Sequence, residues 1–398
     1  MYRVGFGDCF LVSMPTPRSM AHILIDCGAH PQGDLGLIPD VVADVASVCD
    51  RHLDLVIATN AHRDHISGFA QCEQEFKRFT VGEVWLPWTE NEEDAQAARL
   101  KQKHTDLAHT LRQHFEAKGM VVDGTPGGDA FAVVMNAAGN PTGLALLKSG
   151  INGGKVRYVH TGCNFDDAAG IEGLRVRVLG PPRDKEFLAR TDPPSGDRLS
   201  KLDAGGRLIA PDTILPFVDK WTAKSQPLGA LGDDDKEALN SLSENSSALG
   251  FALDQALNST SLITLLSFRG KNLLFCGDAQ HGSWESRMNS SQAASILEHL
   301  DFFKVPHHGS CNGTPRNVLE RMCDGFVAMI STQNRPWPSI PHDKLLKQLE
   351  EKARAVVRSD SIEIANATEA VPKGPDLELE PGSGLSVGPF WCDYTISL

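Results

Sequence analysis

A layered α/β architecture is the fold class this sequence predicts, and three observations carry it. Short apolar runs of strand length alternate with segments of helical period. Gly, Pro, Asn and Asp clusters bound those runs and stop them. Three of the runs lead directly into loops rich in His and Asp. With strands alternating with helices and read as buried, sheets covered by helices are the expected arrangement.

The elements follow in order. Residues 9–13 form a first strand after a Gly-x-Gly-Asp turn, and residues 21–26 a second, closed by Cys27-Gly28. Residues 39–49 place Val41, Val42, Val45 and Val48 on one helical face. A buried strand at 53–59 then meets the polar loop 60–68, and 81–86 is a further strand. Asn91 reads as the cap of a long helix over 92–118 that Gly119 stops. Residues 120–180 are Gly-rich and read as strands, ending in the alternating run at 174–179. Pro pairs, an Asp triplet and a Ser-rich run mark 181–257 as an insertion or excursion within one domain spanning 1–398. Within it, a helix is expected near 248–257. Strands follow at 261–268, 272–276, 302–305, 325–331 and 355–358, with a helix at 342–353 and a last strand near 390–396.

Composition narrows the function. The 398 residues contain 38 Lys and Arg against 51 Asp and Glu, a net charge of −13. That balance argues against a broad basic face following duplex DNA, but not against a small cationic site. Nine cysteines, an odd number with no C-x-x-C pair, read as buried thiols of a reducing compartment. No apolar run approaches about 18 residues, so no membrane span is expected. The first residues lack the basic-then-apolar shape of a signal peptide, and a cytoplasmic location is the expectation.

The chemistry is concentrated in three clusters that follow strands: Asn60-Ala61-His62-Arg63-Asp64-His65, Gly277-Asp278, and His307-His308-Gly309-Ser310. Imidazole and carboxylate together suit Zn²⁺, Mn²⁺ or Fe, and strand ends hold such ligands rigidly. A lone Asp after a strand is commonly a turn residue. The three clusters taken together read as a metal site able to activate water.

These residues resemble the metallo-β-lactamase superfamily, in the branch of the hydrolase domain of the competence protein ComEC. The likeness runs through Val4-Gly5-Phe6-Gly7-Asp8-Cys9, Leu24-Ile25-Asp26-Cys27-Gly28 and Thr59 to Gly68. It continues through Asn258-Ser259-Thr260-Ser261-Leu262, Leu274-Phe275-Cys276-Gly277-Asp278 and Lys304-Val305-Pro306-His307-His308-Gly309-Ser310. Residues 85–255 are poorly covered. The resemblance implies an αββα sandwich of two packed mixed sheets flanked by helices, with a large central insertion.

It further implies metal ligands at Asn60, His62, Asp64, His65, Asp278, and one or other of His307 and His308. His62 would belong to a first metal site, Asp64 and His65 to a second, and Asp278 would bridge them. Asp64 would orient the attacking water. A histidine of the 307/308 pair, if not a ligand, would protonate the leaving group. Asp26 would brace the ligand loop, and Asn258 stands near the place of the family's middle histidine. Asn60 replaces the first histidine of the family's His-x-His-x-Asp-His. That departure predicts a weak or empty first site, with one or two ions in all, Zn²⁺ or alternatively Mn²⁺.

The implied activity is hydrolysis of a phosphodiester in a nucleotide or a single-stranded nucleic acid, or in another small molecule. The alternatives are a catalytically degenerate binding module and a hydrolase of a thioester or lactone. Other residues carry two readings. Trp85 and Trp88 either stack on a substrate ring or pack the core. Ser310 holds a phosphate oxygen or caps a turn. His160 and His281 are a replacement ligand or loop residues. His104, His109 and His114, five apart on the long helix, read as surface residues.

Overall fold

A computed structural model describes residues 1–31, 33, 35–119, 121, 126–191, 246–288, 295–310, 312–334, 337, 339–361 and 384–398. Of the expected insertion, residues 192–245 lie outside the described residues, as does Cys311.

Two sheets form the centre. The first has strand order β1-β2-β3-β4-β5, from Cys9–Pro15, Met20–Cys27, His52–Ile57, Thr80–Pro87 and Lys155–Val159. β1 and β2 are antiparallel, and β2 to β5 run parallel. The second has order β12-β11-β10-β9-β8-β7-β6. Its strands are β6 (Asn164–Asp166), β7 (Leu174–Gly180), β8 (Ile263–Phe268), β9 (Lys271–Phe275), β10 (Phe302–Lys304), β11 (Val327–Ile330) and β12 (Ala355–Arg358). β6 to β9 pair antiparallel, and β9 to β12 run parallel. A hairpin of β13 (Leu385–Val387) and β14 (Cys392–Tyr394) meets the start of the chain through a Tyr2–Trp391 bridge.

Side-chain alternation sorts the layers. Ile23, Ile25, Leu55, Ile57 and Trp85 of the first sheet bury against Val176, Leu266, Phe275, Met329 and Val357 of the second. Their neighbours point outward. Leu24 and Val56 pack with Val41, Val45 and Phe69 of the helices Ile38–Val48 and Arg63–Gln71. Leu265, Leu274 and Ile330 pack with Trp284, Val318, Leu345 and Leu349 of the helices on the far side. The order of layers is helix, sheet, sheet, helix, the αββα sandwich that the resemblance implies.

Two expectations are corrected. Residues 126–148 are helical rather than strand-like, as Pro126–Ala137 and Pro141–Lys148. Each starts on a proline whose missing N–H costs nothing there, and Asn140 caps the second by accepting from the Gly143 amide. The long helix spans Ala95–Ala117, capped by Asp94, which accepts from the Gln96 and Ala97 amides; Asn91 instead closes the preceding turn. The stretch Gly128–Gly153 is long and apolar enough, by length and composition alone, to cross a membrane. It is broken at Gly139-Asn140-Pro141. Val134 faces the helical layer while Leu146 and Leu147 join the core under the first sheet.

Candidate metal centre

The parallel halves of both sheets present strand ends at one edge. β2 and β3 approach it from one sheet, β9, β10 and β11 from the other. Asp26 ends β2 with φ +56°, a left-handed backbone that turns its carboxylate inward. Its Oδ1 accepts from the Thr59 amide at 2.7 Å, and its Oδ2 from the Thr59 hydroxyl at 2.6 Å. That clamps the loop after β3, and Leu262 N donates across to Thr59 O, tying the two sheets. Gly28 lets the loop lie close. A Cβ there would meet the Asp64 backbone at 2.5 Å. Asp64 N donates to Asn136 Oδ1, anchoring the start of the Arg63–Gln71 helix to the Pro126–Ala137 helix.

Asp64, His65, Asp278 and His308 come together with one ligand atom each within 4.8 Å of all the others, and all four are buried. The two histidines are prepared alike. His65 Nδ1 lies 2.8 Å from Asp26 Oδ2, and His308 Nδ1 lies 2.9 Å from Ser331 O. With Nδ1–H donating in each case, Nε2 is left as the ligand nitrogen, the usual arrangement behind a metal-binding imidazole. His65 Nε2 faces Asp278 Oδ2 at 2.9 Å, and His308 Nε2 faces Asp64 Oδ2 at 3.3 Å. Asp64 Oδ1 is buried with no hydrogen-bond partner, as a carboxylate oxygen reserved for a cation would be. His307 and His308 both adopt positive φ, +50° and +56°, before Gly309. Left-handed backbone at two consecutive non-glycine residues costs on the order of 1–3 kcal/mol each. It is held by the His307 amide, which donates to Asp278 Oδ1 and Gly277 O.

The electrostatics are those of a cation site filled by protons. Burial opposes charge on His65, yet Asp278, Asp64 and Asp26 hold its pKa well above the ordinary value. Burial likewise pushes Asp278 up, and His65 and His308 outweigh it and bring it well below the carboxylate range. Asp64 is lowered in the same way, against burial, by His65 and the His308 contact. Behind the cluster sits Lys304 on β10, itself buried. Its ammonium pairs with Asp8, donates to Gly277 O at 2.8 Å and lies 3.6 Å from Asp278 Oδ1.

The remaining expected site residues sort clearly. Asn60 is spent on the loop. Its Oδ1 accepts from the His62 amide at 2.8 Å and its Nδ2 donates to Ser261 Oγ, so it is not placed as a ligand. His308, not His307, joins the four-residue cluster. His307 instead faces Asn258 Nδ2, Gln280 Nε2 and Asn312 Oδ1, each at 3.3 Å. His62 is buried beside the cluster, and Asn258 donates to Asp254 Oδ2. Ser310 Oγ donates to Asn312, which supports His307. Trp85 and Trp88 are core residues, the second under the Arg183 guanidinium at 4.4 Å. His160 contacts Thr161 O at the end of β5, and His281 faces Glu285 within its own helix. His104 is buried rather than on the surface.

Sequence reasoning missed Lys304, Asn136 and Asp254. A lysine inside the apolar run Phe302-Phe303-Lys304-Val305 is the detectable sign of the first, since lysine is almost never fully buried without a partner. Asp254, one turn before Asn258, shares its helical face. Asn136 had no sign once its segment was read as strand.

Comparisons with known proteins are sparse. No family model matches the chain, and no curated protein matches it. Among solved structures, it is similar to the metallo-beta-lactamase fold protein YhfI from Bacillus subtilis. Identity there is 8 %, coverage 90 % of this chain and 94 % of that one, and the TM-score 0.35. It is also similar to Zn(2+)-bound PqqB from Methylobacterium extorquens, at 10 % identity, 87 % and 84 % coverage and a TM-score of 0.34. The layers and strand orders above define the fold class without them: an αββα sandwich of two packed mixed sheets, with an Asp/His cluster at the shared sheet edge.

Proposed function

We propose that this chain is a metal-dependent hydrolase of the ComEC-like branch, acting on a phosphodiester in a nucleotide or single-stranded nucleic acid. The observation that carries the reading is the convergence of Asp64, His65, Asp278 and His308, buried, with both imidazoles tied at Nδ1 so that Nε2 faces the carboxylates. Two carboxylates and two imidazoles suit Zn²⁺ or Mn²⁺. An ion held there supplies Lewis acidity and lowers the pKa of a bound water.

The protein's own contribution is positional. Asp26 fixes the tautomer and tilt of His65, and Ser331 O does the same for His308. That commitment makes His308 a ligand in this reading rather than a proton donor. Asp64 Oδ1, buried with no hydrogen-bond partner in the protein, would serve the ion and orient the attacking water. Lys304 neutralises Asp8 and leans on Asp278, leaving the charge of Asp64 and Asp278 for the cation. The motif run from Val4 to Asp8 through His307-His308-Gly309-Ser310 supports the phosphodiester class, and the net charge of −13 favours a short substrate over duplex DNA.

The test is elemental mass spectrometry on protein purified without chelator, beside Asp278→Ala. Turnover of bis(p-nitrophenyl) phosphate, a thioester and a lactone is then measured with the recovered metal. At least one equivalent of Zn or Mn, lost in the variant, with phosphodiester turnover, is the expected result. Metal-free protein that cannot be reloaded refutes the hydrolase and leaves the binding-module reading. Turnover confined to the thioester or lactone refutes the substrate class alone.

A further inference from the structure

A second set of groups faces the same cleft one step outward. Asp254 projects from the helix Ser246–Asn258, which the ligand motifs reach only at its last residue. Its Oδ1 lies 4.0 Å from His62 Nδ1 and its Oδ2 4.0 Å from His307 Nε2. Both ring nitrogens of His62 are buried with no hydrogen-bond partner, although the side chain is only 2 % exposed. A buried imidazole without partners loses about 1–3 kcal/mol of desolvation per unsatisfied group unless something else takes its lone pair. Asn258 Oδ1, beside the same carboxylate, is likewise buried and unpartnered.

We propose that Asp254 completes a second divalent-cation site with His62 and His307, supplying from the inserted helix the ligand that Asn60 cannot give. This rests on the metal-site reading above. The donor set is one carboxylate and two imidazoles, with the Asn258 carbonyl oxygen at hand, which suits Zn²⁺ or Mn²⁺.

Charge balance supports it. With His65 and His308 neutral as ligands, one divalent ion offsets Asp64 and Asp278, and Lys304 offsets Asp8. That leaves two carboxylates: Asp26, which accepts from Thr59 and lies against His65 Nδ1, and Asp254, whose two oxygens lie 4.0 Å from His62 Nδ1 and His307 Nε2. Asn60 is consistent with this arrangement, since its amide is spent holding the loop that presents His62. The helix is held independently of the site. Leu253 packs with Leu111, Phe115, Ala130 and Val134, so the position of Asp254 is set by a core and not by a flexible loop.

The experiment is a titration of chelator-stripped full-length protein with Co²⁺ and with Zn²⁺, following the visible Co²⁺ absorption and calorimetric stoichiometry. Wild type, Asp254→Asn, His62→Gln and Asp278→Ala are compared. The expected result is two equivalents in wild type and one in Asp254→Asn and in His62→Gln, or a second affinity weakened by about tenfold or more. The Co²⁺ band of the remaining site should be retained. Asn keeps the size of Asp and can still accept from Asn258, and an unchanged melting curve in metal-free buffer verifies the fold.

Two equivalents in both wild type and Asp254→Asn with equal affinity overturn the proposal. One equivalent in wild type, untouched by Asp254→Asn and lost in Asp278→Ala, also overturns it, while leaving the hydrolase reading intact. No metal in any variant overturns both.

Discussion

Replacing Lys304 by Met tests whether the buried ammonium is what lets so many carboxylates share one edge. Lys304 pairs with Asp8, lies 3.6 Å from Asp278 Oδ1 and is 1 % exposed. Its own pKa is raised, burial opposing and Asp8 and Asp278 prevailing, so it is charged throughout the neutral range. Removing one partner of a buried ion pair costs about 3–5 kcal/mol, because the other charge is left uncompensated. A second route gives the same size. The stranded site can escape by binding a proton, and neutralising a carboxyl of ordinary pKa, about 3.9, at pH 7 costs about 4 kcal/mol. That cost shrinks by about 1.4 kcal/mol for each unit the pH is lowered.

Lys304→Met should therefore lose about 4 kcal/mol at pH 7 and about 1.5 kcal/mol at pH 5. The added Asp8→Asn substitution should recover most of the loss. Urea unfolding of chelator-treated protein, followed by the fluorescence of its six tryptophans, measures all three. A loss below about 1 kcal/mol at pH 7, or one that does not shrink at pH 5, refutes the reasoning.

Two further perturbations read other parts of the edge. Asp26→Asn leaves every ligand in place but removes the charge and one of the two acceptor oxygens that Thr59 and His65 share. Metal affinity should fall about 10–100-fold in competition with a chromophoric chelator, and an unchanged affinity would show that the imidazole needs no brace. His104, buried in the long helix, has its pKa pushed down to about 3 by burial, with the charge of His62 a smaller cause. Between that value and the ordinary 6.5 the unfolded chain holds a proton that the folded chain lacks. Stability is therefore complete above about pH 6.5 and lost as the pH falls, by about 2 kcal/mol at pH 5. Melting of wild type and His104→Gln at pH 7 and pH 5 checks it, since equal acid losses in the two would exclude His104 as the source.

Much of the sandwich could be read because its strands are buried on both faces and therefore apolar and uninterrupted. The short runs Leu55-Val56-Ile57 and Leu273-Leu274-Phe275 are examples, each leading toward its ligand loop. The helix at Ile38–Val48 was legible from its valine face. The segment 126–148 reads as Gly-rich strand, but its prolines open helices and its Gly139-Asn140 pair separates them. His104 was misread for a related reason. Five-residue spacing says which face of a helix a residue occupies, but not that another helix will cover it. In the site, residue types and order gave the ligand clusters, and only three dimensions could separate His308 from its neighbour. Their adjacent positive-φ backbones send the two rings in different directions, which no spacing rule encodes. Asp254 was hidden because its partners His62 and His307 are distant in the chain and lie on other elements.

The four ligand-type residues are divided evenly across the seam. Asp64 and His65 follow a strand of one sheet, Asp278 and His308 follow strands of the other, and the contacting pairs are 213 and 244 residues apart in the chain. An ion gripped by all four would be a clasp between two halves of the molecule that meet there through imidazole–carboxylate pairs. Its grip adds to folding stability by mass action, about 2.7 kcal/mol when free metal stands at a hundred times the dissociation constant. On the proposed reading, the same side chains that do the chemistry would make the stability of the folded protein follow metal supply, so that starvation for the ion would remove the protein from use as well as its activity.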